Sequence, residues 1–194
     1  VTVDNKTYLL DNPFMVIATE NPVETAGTFP LPEAQLDRFL MKINMKYPTH
    51  SEGIDILKRS VENVQPENIS PVVGIEEITD AQDVVRNVYV HKDLTEYIVN
   101  LAEGSRSNEN VALGVSPRGS ISLLKVSQAY AAIKGRSYVI PDDIKATALP
   151  VLGHRLILKS MARLQDSAEE EIIRDIISKV YVPVENFEEK VLLS

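Results

Sequence analysis

Between Phe14 and Phe39 the chain passes from Phe-Met-Val-Ile-Ala through Thr19-Glu20-Asn21-Pro22 to Pro32-Glu-Ala-Gln-Leu-Asp-Arg38-Phe. Five consecutive apolar residues, Phe14 to Ala18, cut off by a polar break predict a strand buried on both faces of a sheet. A loop over residues 25–30 follows. A short helix then opens at Pro32 and closes near Arg38, because proline suits the first helical position and Glu33 complements the helix dipole. Many α/β proteins that handle phosphate place an Asn at the carboxyl end of a buried strand and an Arg on the next helix. The phosphate-cradling loop that completes such machinery, Gly-x-x-x-x-Gly-Lys-Ser/Thr, does not occur in the 194 residues.

Around this stretch the element pattern changes along the chain. Val1-Thr-Val, Asp4-Asn-Lys and Thr7-Tyr-Leu read as strand, tight turn and strand. Met41, Ile43 and Met45 alternate with polar residues, as in a half-buried edge strand, and Ser51 to Val64 carries helical spacing behind a Ser cap. From Thr79 onward the reading is almost wholly helical. Apolar stripes run through Ala81, Val84, Val85 and Val88, through Leu94, Tyr97, Ile98 and Leu101, and through Leu123, Val126, Tyr130 and Ile133. Tyr138-Val-Ile is a brief extended piece, and Pro141-Asp-Asp opens a helix that Pro150 should divide from a second one ending near Leu158. Ile172, Ile173, Ile176, Ile177 and Val180 mark a last helix. These stripes read as packing surfaces. The shift from strands and turns to helices places a boundary near residues 75–90, giving an α/β part over 1–74 and a helical part over 75–194.

Charge and composition narrow the function. The net charge is −8 and no basic stripe is present, which argues against nucleic-acid binding. The acidic run Glu169-Glu-Glu fits a solvated helix start. The chain has no cysteine, which excludes thiolate catalysis, disulfides and Cys-ligated zinc and fits a cytoplasmic protein. No apolar run approaches the ~18 residues of a membrane span, so no membrane insertion is expected. The chain opens on Val1 rather than Met, which suggests a piece of a longer polypeptide.

Three polar side chains stand out. Asn21 can be a turn residue before Pro22, or a carboxamide that holds a water or touches a phosphate oxygen. Arg38 can pair with Asp37 on the surface, or act as a cation supplied to another subunit. Arg118 lies in Gly114-Val-Ser-Pro-Arg118-Gly, just ahead of an amphipathic helix. A cation there opposes the helix dipole, so it either points to solvent or receives an anion. His154-Arg155, in an otherwise apolar segment, reads as a packing or capping feature.

Taken together, Phe14-Met-Val-Ile-Ala-Thr-Glu-Asn-Pro, Gly27-Thr-Phe-Pro-Leu-Pro-Glu-Ala-Gln-Leu-Asp-Arg-Phe-Leu40, Gly114-Val-Ser-Pro-Arg-Gly, Gly135-Arg-Ser-Tyr-Val-Ile-Pro-Asp-Asp-Ile144 and Leu149-Pro-Val-Leu-Gly-His-Arg-Leu156 resemble the MoxR family of AAA+ ATPases across essentially the whole chain. The resemblance implies an α/β remnant of an AAA+ core, a hairpin plus the sensor 1 strand, followed by an all-α lid bundle. It implies that Asn21 is the sensor 1 residue, Arg38 an arginine finger acting in trans, and Arg118 the sensor 2 arginine. It implies ATP and Mg²⁺ as cofactors, a homo-oligomeric, hexameric ring, and chaperone-like remodelling or maturation of client proteins. It further implies partners containing von Willebrand factor A domains. The Walker A and Walker B segments of the family are missing from this sequence, so the piece alone is expected neither to bind ATP tightly nor to hydrolyse it. Two other readings remain: a non-catalytic helical adaptor, and a magnesium-chelatase-type motor subunit.

Overall fold

The computed structural model describes residues 2–20, 31–63, 70–162 and 167–184. Strands β1 (Thr2–Val3) and β2 (Lys6–Thr7) form the expected antiparallel hairpin, with Thr2 opposite Thr7. Asp4 and Asn5 both take positive φ, 48° and 61°. That left-handed pair is what a two-residue turn between right-twisted strands requires. After it come α1 (Glu33–Leu36), α2 (His50–Val61) and α3 (Ile75–Arg86). The rest is α4 (Lys92–Ser107), β3 (Val111–Leu113), α5 (Pro117–Ile133), α6 (Pro141–Leu152), a 3₁₀ turn (Gly153–Arg155), β4 (Ile157–Leu158) and α7 (Ala168–Lys179).

Among the described residues the buried core is drawn entirely from residues 88–176. Leu94, Tyr97, Ile98 and Leu101 of α4 are all buried, as their spacing predicts. Helix α5 packs against α3, α4 and α6, and α7 lies against α4 and α6 through Ile172, Ile173 and Ile176. Small side chains let α5 and α6 approach closely, and their buried hydroxyls, Ser127 and Thr147, satisfy each other at 3.2 Å. At the head of α6, Asp143 accepts the Ile140 amide at 2.9 Å and a two-pronged hydrogen bond from Arg136 at 2.7 and 2.5 Å. This carboxylate holds the Arg136 pKa above its ordinary value against the effect of burial. Gly135 ends α5 at φ +75°, a conformation that a side chain would strain. Strands β3 and β4 close the unit as a short antiparallel pair.

Several expectations need correction. Residues 14–18 form no strand, and Phe14 to Ile17 are 56–76% exposed. A strand covered on both faces needs neighbours that accept its backbone groups, and none of the described residues pairs with it. Residues 41–45 also form no strand. Instead Met41 packs on the helical core and the Lys42 amide donates to the Pro150 carbonyl at 2.8 Å. Helix α2 is capped by Thr49, not Ser51, in a reciprocal box with Glu52. Helix α3 starts at Ile75 rather than Thr79, with Glu77 reaching back to the Gly74 amide at 2.6 Å. Pro150 does not divide its helix. It sits in the last turn of α6, where one missing amide costs little, and the chain then tightens into the 3₁₀ turn and β4. Val84 and Ile133, placed on apolar stripes, are exposed, as are Ile54, Leu57 and Val61, the residues that give α2 its helical spacing.

Candidate functional site

Helix α1 is only one turn long. The chain tightens after it, with the Asp37, Arg38 and Phe39 amides donating to Glu33, Gln35 and Leu36 at 3.0–3.1 Å. The carbonyls that follow α1 are met by Arg155, which arrives from the 3₁₀ turn, 118 residues after Asp37. Its guanidinium donates to the carbonyls of Asp37 at 3.2 Å and Leu40 at 3.3 Å, and to those of Phe39 and Val151. It also donates to the Ser122 hydroxyl and to the Asp37 carboxylate, at 3.3 and 3.2 Å. The Arg155 side chain is 1% exposed. A charge buried that deeply must be paired, and the planar five-donor fork lets one residue satisfy this many acceptors. Burial lowers its pKa, with Asp37 opposing, and it remains a cation.

His154 completes the knot. Its Nε2 lies 2.9 Å from the Arg155 guanidinium, which can only donate, and 3.4 Å from the Phe39 carbonyl, which can only accept; the shorter, charged contact has Nε2 accepting, which puts the ring proton on Nδ1. Nδ1 is buried without a hydrogen-bond partner. Burial, and then the Arg155 charge, push the His154 pKa below its ordinary value. The ring is therefore a neutral spacer. Arg155 caps α1, in agreement with the packing or capping reading of this pair.

Asp37 is the second junction. Besides Arg155, its carboxylate takes the Ser116 hydroxyl at 3.1 and 3.2 Å, and Arg118 approaches it at 3.9 Å. Ser116 is the N-cap of α5 and accepts the Gly119 amide at 3.4 Å. The segment bearing Arg38 is thereby fastened to the helix start bearing Arg118. Both arginines are exposed. Among the described residues the Arg38 guanidinium makes no ion pair, while Arg118 makes only the long contact to Asp37. Of the two readings of Arg38, the surface pairing with Asp37 does not occur; Asp37 turns to Arg155 instead. Asn21 lies outside the described residues. Asp37 and Arg155 were not singled out as functional from the sequence. The available signal was an Arg set within Val151-Leu-Gly-His-Arg-Leu-Ile-Leu158, where an unpaired charge could not be buried.

Residues 103–176 match the AAA lid domain family, and residues 1–41 match the ATPase family associated with various cellular activities (AAA). The chain is 47% identical over 185 residues to the uncharacterized protein YeaC of Bacillus subtilis, covering 95% of this chain and 58% of YeaC. It is 34% identical over 195 residues to the chaperone MoxR1 of Mycobacterium tuberculosis, covering 96% of this chain and 51% of MoxR1. A crystal structure from Cytophaga hutchinsonii, provisionally described as an ATPase, superposes with a TM-score of 0.85 at 34% identity, over 95% of this chain and 58% of that one. The chain thus spans between half and three fifths of the length of these relatives. With the lid match, the AAA match and these identities over nearly its full extent, the chain belongs to the MoxR family of AAA+ ATPases.

Proposed function

We propose that this chain supplies the sensing half of a MoxR-type motor, in which ATP binding and hydrolysis in a homo-oligomeric, hexameric ring drive chaperone-like remodelling of client proteins in the cytoplasm. Arg38 is the finger offered to the neighbouring subunit, Arg118 is the lid arginine that contacts the phosphates of its own subunit, and Asn21 orients the attacking water. The observation that carries this reading is the junction at Asp37: exposed Arg118 approaches the carboxylate of the residue next to exposed Arg38, which ties two arginines 80 residues apart in sequence to one short segment. Arg118 fits an anionic phosphate. It stands in the first turn of α5, where a cation opposes the helix dipole unless an anion is near. Mg²⁺ is different. Its ligands are assigned in this reading to the family's Walker segments; among the described residues no group of three acidic or His side chains could hold a cation. No helix among the described residues is long and apolar enough to cross a membrane. Residues 75–90 act as the hinge between the α/β part and the lid, and von Willebrand factor A domain proteins are the proposed partners.

The test uses the ATPase that carries this chain. Arg38→Ala should remove most turnover, about 10³-fold for a lost finger, and spare nucleotide binding. Mixing that variant with one lacking the Walker A Lys should restore activity, because the finger of one protomer then meets the intact phosphate site of another. No restoration at any ratio refutes action in trans.

A further inference from the structure

The three donors around Asp37 differ in how firmly they hold it. Arg155 is buried and anchored by four carbonyls and a hydroxyl besides, so it stays where it is. Ser116 is fixed by its place at the start of α5. Arg118 is the loose member: its side chain is 55% exposed, its contact is 3.9 Å, and its long stem is free to swing. A carboxylate already served by a buried guanidinium and a hydroxyl does not need a third donor. Arg118 does need an anion, since it sits at the positive end of α5.

We propose that Asp37 is a positioning residue that serves as a stand-in anion for Arg118, holding it beside the Arg38 segment until a nucleotide phosphate displaces the carboxylate. The inference rests on the reading of Arg118 given above. Binding in one subunit then loosens one of the ties between α5 and the segment carrying Arg38. Through that exchange the phosphate at a subunit's own site bears on the finger it offers to its neighbour. The competition also weakens nucleotide binding, because Arg118 must leave one anion for another.

The size follows from the geometry. An exposed ion pair at this distance is weak, so releasing Arg118 should tighten binding of the non-hydrolysable Mg²⁺–ATP analogue AMP-PNP by about two- to fivefold. The experiment measures AMP-PNP affinity in the intact ATPase for Asp37→Asn, Arg118→Ala and the double variant. Asp37→Asn should bind more tightly, Arg118→Ala more weakly, and Asp37→Asn should have no effect once Arg118 is gone. A purely structural role for Asp37 would weaken binding or leave it unchanged, and it would do so with or without Arg118; either result overturns the proposal. If Arg118→Ala itself leaves affinity and turnover unchanged, the reading of Arg118 as a phosphate contact fails, and with it this inference. If Arg118→Ala weakens binding but Asp37→Asn does not tighten it, the Asp37 role alone fails. Asp37→Asn leaves Arg155 without its carboxylate, so Asp37→Glu, which keeps an anion for both arginines, is measured beside it and must not show the tightening; equal tightening in Asp37→Glu overturns the proposal.

Discussion

Replacing Arg155 by Met isolates the knot that fastens the Arg38 segment to the helical unit. Methionine keeps the apolar stem and loses every donor. Removing one member of a fully buried ion pair costs about 3–5 kcal/mol. Here the partner carboxylate is 26% exposed and keeps the Ser116 hydroxyl and Arg118, so that share shrinks to about 1 kcal/mol. The carbonyls of Asp37, Phe39 and Leu40 lose a charged donor, a bond type worth about 1.5–3 kcal/mol each, but a freed surface segment can rehydrate them. The desolvation that pulls down the Arg155 pKa is relieved at the same time. The balance is a loss of about 2–3 kcal/mol. For a chain of this size that is a fall of roughly 5–10 °C in Tm. Urea denaturation followed by helical circular dichroism measures it. A double-mutant cycle with Asp37→Asn should show strong non-additivity, since the two side chains share one ion pair. Limited trypsinolysis supplies a local readout: cleavage after Arg38 should accelerate, because α1 then opens without global unfolding. A loss below about 1 kcal/mol with unchanged cleavage at Arg38 would refute the claim that Arg155 holds this segment.

What could be read beforehand was what depends on near neighbours along the chain. The α4 face from Leu94 to Leu101 and the α7 face through Ile172 and Ile176 follow a period of 3.6, and both are buried. The hairpin at Asp4-Asn5 rests on two residues that tolerate left-handed backbone. The run from Phe14 to Ala18 shows the limit of that logic. An apolar run states that a strand would be stable between two others, but pairing is a property of the neighbours. The Asp37–Arg155 junction lies beyond pattern altogether, since nothing local links residues 118 apart. The motif Leu36-Asp-Arg-Phe39 pointed to Arg38 through its resemblance to a family, while the physical weight of the segment falls on the Asp beside it.

Two further tests probe the packing of the knot. Gly119 sits in α5, where an alanine Cβ would fall 2.6 Å from Val115 Cγ1 and 3.0 Å from Arg155 Cδ. Val115 is 1% exposed and has no room to yield. The clash costs about 1–3 kcal/mol and outweighs the ~0.5–1 kcal/mol that alanine gains over glycine within a helix, so Gly119→Ala should lower the urea midpoint; a raised midpoint would contradict the close packing. The last test is pH. Burial and Arg155 hold the His154 pKa below the ordinary value of 6.5, so the folded chain takes up this proton less readily than the unfolded chain does. Above about 6.5 the ring is neutral in both states and contributes no pH dependence. As pH falls below about 6.5 the unfolded chain protonates first, and stability drops until the folded ring titrates as well. His154→Gln removes this term while keeping a side chain that can accept from Arg155. The stability difference between pH 7.5 and 5.5 should therefore be smaller in His154→Gln than in the parent chain, with the shared carboxylate contributions cancelling. Equal pH dependence in the two proteins would mean that the ring is not held neutral against Arg155.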